Sequence, residues 1–144
     1  MSTVSEIKEK LGSKIIDWRQ DREKRIYFSI KPVDIKEAAR LLFKELGLRF
    51  VIATGQDTPQ AIEMLYHFSD DKTGQIFSCR VLIEDKLKPE IDSLAPLFCG
   101  AEWIEREIWE LLGVNFKGHP NLKRLLLSEE WPQGKHPLRH KDES

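Results

Sequence analysis

Two stretches of strict alternation leave the chain little freedom. In 61–68, Ile62, Met64, Tyr66 and Phe68 alternate with Glu63, Leu65 and His67; in 75–83, Phe77, Cys79, Val81 and Ile83 alternate with Ile76, Ser78, Arg80 and Leu82. Successive strand residues point to opposite faces, so each run reads as a strand with one face buried. Between them Asp70-Asp-Lys-Thr-Gly74 is turn chemistry, and the two strands form a hairpin with arms of similar length.

Other elements are fitted around that hairpin. Thr3 with Glu6 forms a capping box for a short first helix over Ile7 and Leu11, stopped by Gly12. Arg25–Ile30 is aromatic and β-branched and closed by Pro32, which predicts a strand. Asp34 is placed to cap a helix whose apolar residues Ile35, Ala38, Ala39, Leu42, Phe43 and Leu46 fall at helical spacing, with Gly47 as the stop. Leu48–Thr54 reads as another strand. Ala101–Leu112 reads as an amphipathic helix with Ile104, Ile108, Leu111 and Leu112 on one face, Glu102, Glu105, Arg106 and Glu110 around the other, and Gly113 at its end. Helix, strand, helix, three strands and helix indicate an α+β fold: an antiparallel or mixed sheet with helices packed on one face.

At 144 residues the chain holds one ordinary domain. Its net charge of -1 carries no nucleic-acid footprint. The N-terminus lacks an apolar leader and no window is long enough to span a bilayer, so a cytoplasmic location is expected. Cys79 and Cys99 read as buried, reduced thiols, too few for a cluster or structural zinc site.

The C-terminal stretch differs. Pro120, Pro132 and Pro137 interrupt any long helix, yet Leu122, Leu125, Leu126, Leu127, Trp131 and Leu138 are too apolar for a solvated tail. The division expected is an α+β domain over 1–114 and an extended partner-binding arm over 115–144.

Catalytic readings find little support. Glu105, Glu107 and Glu110 sit around one helix without a pocket, and read either as an acidic exposed face or as charge-assisted locks with Arg106. His136 and His140 have i, i+4 spacing, but Pro137 between them breaks the helix a metal pair needs. His119, before Pro120, suits a positioning hydrogen bond in a fixed turn. Arg124 and Arg139 are solvated at a rim or paired in an interface, with pairing favoured. Trp103, Trp109 and Trp131 read as core or interface anchors. Gly113 and Gly118 lack the spacing of a phosphate loop.

The run from Glu105 through Arg106, Glu107, Gly113, Phe116, Gly118, His119, Pro120, Leu122, Arg124 and Leu125, continuing through Trp131-Pro132 and Pro137-Leu-Arg139, resembles the signature of the complex I 30 kDa subunit family. That family, the C-type subunits of NADH-quinone oxidoreductase, includes the homologous small hydrophilic subunit of energy-converting nickel–iron hydrogenases. The resemblance implies a non-catalytic scaffold subunit of a peripheral arm, with no flavin, cluster or metal of its own. Its partners would be a large subunit of 49 kDa or nickel–iron hydrogenase type and neighbouring iron–sulfur subunits. It would meet the membrane only through the complex, on the cytoplasmic face. The implied partner interface comprises Glu105, Arg106, Glu107, Phe116, Gly118, His119, Pro120, Leu122, Arg124, Leu125, Trp131, Pro137, Leu138 and Arg139. Positions 109–112 read Trp-Glu-Leu-Leu, where complex I members more often carry an aromatic, Asp and an aromatic before the glycine. With Trp131-Pro-Gln-Gly and the short length, this favours the hydrogenase branch. A transient assembly or binding module for such a complex is the alternative.

Overall fold

A computed structural model describes residues 2–123 and 136–139. Arg124, Leu125, Leu126, Leu127, Trp131, Pro132 and His140 lie outside the described residues. In order come α1 (Thr3–Leu11), β1 (Asp17–Arg22), β2 (Arg25–Ile30), α2 (Ile35–Arg40), β3 (Arg49–Asp57), β4 (Ile62–Asp70), β5 (Gln75–Ile83), β6 (Glu90–Asp92), α3 (Gly100–Leu112) and β7 (Asn115–Lys117).

Five strands form a mixed sheet in the order β1-β2-β5-β4-β3. The expected hairpin is its centre, with Tyr66 opposite Cys79 and Asp70 opposite Gln75. β2 runs parallel to β5, which obliges α2 to lie across the sheet between β2 and β3. The alternating apolar row of β2, β4 and β5 joins residues of all three helices in one core, among them Ile7, Ala38, Ala101 and Ile108. The α+β architecture expected from the sequence is thus the one observed. β3 meets α3 at Gly55, whose small size sets their separation. A Cβ there would lie 2.7 Å from Leu112 Cδ1 and 3.4 Å from Ile108 Cγ2.

Several local expectations are corrected. Ser2, not Thr3, caps α1: its hydroxyl accepts from the Ser5 amide, while the Thr3 hydroxyl donates to Asp70 at 2.7 Å and ties α1 to the hairpin turn. Asp34 makes no side-chain cap, because Pro32–Asp34 forms a 3-10 turn that feeds directly into α2. The helical pattern after α2 continues as a π-turn over Leu41–Glu45. β3 and β4 run past their expected ends, to Asp57 and Asp70. Three strands were not expected at all: the edge strand β1 and the three-residue β6 and β7, which pair in parallel. Cys79 is buried as expected, but Cys99 is exposed, since it sits at the solvent-facing start of α3.

The largest correction concerns α3. Glu105, Arg106 and Glu110 are buried, at 1%, 5% and 2% exposure. One side of the helix meets β3; the loop at 93–95, β7 and the turn at 118–121 close over the other, so the polar face is covered too.

Candidate partner interface

The signature residues meet on α3 and the segments laid against it. An α-helix leaves its last four carbonyls without partners. Here the Gly113 amide donates to Trp109 O at 2.8 Å, the His136 ring Nδ1 to Glu110 O at 2.9 Å, the Leu138 amide to Leu111 O at 2.9 Å, and the Arg139 guanidinium to Leu112 O at 3.2 Å. Residues 136–139 therefore form a cap for the C-terminal end of α3, and a cationic side chain there also suits the negative end of the helix dipole. Gly113 is needed twice. Its φ of +80° belongs to the left-handed region, and a Cβ would stand 2.7 Å from the His136 ring.

Arg139 reaches further. Its Nη2 donates to Lys86 O at 2.8 Å, and its Nε lies 3.4 Å from Asp57 Oδ2. The other Asp57 oxygen is 2.7 Å from Lys86 Nζ, which also donates to Thr58 O at 2.6 Å. The Asp57 carboxylate is 1% exposed. One buried anion thus binds the end of β3, the loop after β5 and the returning segment with two cations.

On the other side of α3 the chain leaves Gly113 through Val114 into β7. Phe116 is 1% exposed and belongs to the chain's own core. Gly118, at φ +82°, turns the backbone. The His119 side chain is fully enclosed: its Nδ1 accepts from the Asn121 amide at 2.9 Å, so Nε2 carries the proton it donates to Glu102 O at 2.9 Å. This is the positioning hydrogen bond in a turn expected for His119. Arg106 Nε donates to Lys123 O at 3.2 Å while its guanidinium lies 4.9 Å from the centre of the Trp103 ring. Leu122 packs against the core.

Glu105 faces inward. Ser93 Oγ donates to its Oε1 at 2.6 Å and the Leu94 amide to its Oε2 at 2.7 Å. Burial pushes its carboxyl up from 4.5 to about 7, against the opposing pull of those donors. His119 Nε2 is 4.0 Å from Oε1, with its proton already committed to Glu102 O. The Tyr66 hydroxyl is buried nearby with no hydrogen-bond partner among the described residues, and burial, with the charge of Glu105 second, raises it well above the usual phenol range.

The fourteen residues expected at an interface therefore separate by position. Glu105, Arg106, Phe116, His119 and Arg139 fasten the chain to itself. Gly118, Pro120, Pro137 and Leu138 are exposed, Glu107 and Leu122 half-buried. Arg124, Leu125 and Trp131 fall outside the described residues. Asp57, Lys86 and Ser93 were not singled out by sequence, since no local pattern announces a strand-end carboxylate whose two cations, Lys86 and Arg139, come from distant parts of the chain.

Residues 28–143 match the family described as "Respiratory-chain NADH dehydrogenase, 30 Kd subunit". The chain belongs to that family. It is 30% identical over 142 residues to the C-type subunit of NADH-quinone oxidoreductase from Citrifermentans bemidjiense, covering 94% of this chain and 84% of that one. The corresponding C-type protein of a Chelativorans strain is 33% identical over 139 residues, covering 92% and 67%. The match to the C/D-type NADH-quinone oxidoreductase protein of Buchnera aphidicola is 40% over 77 residues, and spans only 12% of that longer protein. Among solved structures, a chain of the membrane-bound sulfane sulfur reductase, an archaeal respiratory membrane complex, has the same fold with TM-score 0.83 at 24% identity, covering 94% of this chain and 81% of that one. A trypsin-resistant fragment of Nqo5 gives TM-score 0.65 at 22% identity, covering 83% and 96%. No helix among the described residues is long and apolar enough to cross a membrane.

Proposed function

We propose that this chain is a cofactor-free scaffold subunit of a membrane-bound redox complex of the NADH-quinone oxidoreductase type, docking on the large, D-type subunit and on neighbouring iron–sulfur subunits. The observation that carries the reading is the division of labour around α3. Fasteners (Glu105, Arg106, His119 and Arg139) hold the loop at 93–95 and the segments 117–123 and 136–139 against the helix, and Trp103, Pro120, Pro137 and Leu138 are left facing outward. An outward apolar set on a rigidly fastened frame is what a docking subunit presents. The interface read from the sequence also includes Glu107, Gly118 and Leu122, and Arg124, Leu125 and Trp131, which lie outside the described residues. Relatives of the C/D type support a D-type neighbour, because there a C-type stretch shares one polypeptide with a much longer remainder. The chain meets the membrane through the complex.

Purification from the native cell in mild detergent, with every co-purifying chain identified by mass spectrometry, tests this. Recovery of a D-type large subunit is expected. The relatives' names favour a quinone-reducing complex with NADH-oxidising chains, whereas Trp109-Glu-Leu-Leu112 favours a nickel-binding large subunit of the hydrogenase branch. A lone chain under every condition refutes the scaffold reading and supports a transient assembly module.

A further inference from the structure

We propose that the edge of β3, which no strand among the described residues pairs, is a second docking element that takes an extended strand of the large subunit and continues the sheet. This rests on the scaffold reading and specifies a surface that reading does not need.

The two edges of the sheet are built differently. β1 carries Asp17, Arg19, Asp21 and Arg22 in six residues and has a register shift, devices that blunt an edge against further pairing. β3 is nine residues long, and from Phe50 to Gln56 it has no charge. Its irregularity is confined to Val51, so Ile52–Asp57 stay in regular register with β4. Val51 and Ile52 are 43% and 41% exposed. Beside this edge, between β3 and α3, runs an apolar groove of about 220 Å³ lined by Ile52, Ile104, Ile108, Leu111 and Leu138. A strand added to β3 would place every second side chain in that groove while its backbone pairs with β3.

Charge selects the occupant. The groove holds one carboxylate, Glu107, half-buried and without an ion-pair partner among the described residues. The partner strand therefore has apolar residues at alternate positions and a Lys or Arg beside Glu107. Leu138, one of the outward residues described above, lines the same groove, so the returning segment adjoins the β3 edge.

The test uses the intact complex. Wild type, Ile52→Lys and Glu107→Lys chains are expressed in native cells, and the large subunit recovered with each is quantified. Each variant should lower recovery about tenfold, the effect of a desolvated or repelled charge in an interface, while the thermal midpoint of the isolated chain stays within a few degrees. In hydrogen exchange, the alternate β3 amides directed away from β4 should slow about tenfold or more in the complex relative to the free chain. Undiminished recovery by both folded variants, with β3 exchange unchanged, overturns the docking edge and leaves the scaffold reading intact. Protection of β3 already complete in the isolated chain, or lost only on dilution of a wild-type dimer, also overturns it, the edge then being covered from within or by a second copy. Failure of wild type itself to recover a large subunit refutes the scaffold reading and the edge with it.

Discussion

Replacing Glu105 by Gln should change how stability depends on pH more than it changes stability at any one pH. The carboxyl of Glu105 is raised from 4.5 to about 7 by burial on α3. Between those values the folded chain retains a proton that the unfolded chain has released, so rising pH favours unfolding. The contribution is fully present below pH 4.5, declines up to about pH 7 and is constant beyond. A shift of that size corresponds to about 3 kcal/mol across the window. His67 works in the opposite sense over part of the range, because burial, with Arg25 as second cause, lowers its ring below 6.5. Comparing Glu105→Gln with wild type cancels that term. Gln keeps an acceptor for Ser93 or Leu94 and does not titrate, so relative to wild type the variant should gain about 3 kcal/mol between pH 4.5 and pH 8. Urea unfolding followed by tryptophan fluorescence at pH 4.5, 6, 7 and 8 reads this directly. Parallel curves for the two proteins would refute the argument, since they would mean that the buried carboxylate stays ionised throughout and that Ser93 and Leu94 fully offset its desolvation.

Other substitutions probe the remaining fasteners. Asp57→Asn removes the anion shared by Lys86 and Arg139 and should cost about 3 kcal/mol in urea unfolding, with Arg139→Gln in the same background costing less than it does alone. Gly113→Ala forces a side chain into both a left-handed backbone and the His136 ring; a loss of about 2 kcal/mol by thermal unfolding is expected. Gly55→Ala pushes α3 from β3 through Leu112 and should cost about 1–3 kcal/mol, relieved in part by Leu112→Ala. Tyr66→Phe deletes a buried hydroxyl that has no partner among the described residues, so its unfolding midpoint should equal or exceed that of wild type.

Elements whose periodicity is enforced by burial were the legible ones. β2 begins and ends at Arg25 and Ile30 as its residues predict, and the β4–β5 hairpin follows its alternation because the central strands of a one-faced sheet cannot slip by a residue without exposing Met64, Tyr66, Phe77 and Cys79 together. β1 left no such mark. Of its six residues only Trp18 packs on the core, and the strand is held by backbone pairing to β2, which composition does not report. β6 and β7 are too short to show a period; Ile91 and Phe116 are buried because the loops that carry them are pinned elsewhere.

For the site, residue types were legible and their direction was not. A helix bearing Glu105, Arg106 and Glu110 reads locally as amphipathic with a wet face, because the groups that satisfy that face come from elsewhere: Ser93 and Leu94 for Glu105, Lys123 for Arg106. Likewise a Pro-Leu-Arg run among prolines reads as arm, while the structure uses it to cap a helix that ended two dozen residues earlier. Both surprises have one physical cause. A polar or charged group is tolerated at 1–5% exposure only where its partners are fixed in advance, so burying Glu105, Arg106 and Asp57 obliges the loops that supply those partners to hold a single conformation. The outward face, Trp103, Pro120 and Leu138, inherits that order without contributing to it. Loosening the fasteners should therefore weaken docking before it unfolds the domain, which Asp57→Asn would show as a fall in large-subunit recovery at temperatures well below its own melting transition.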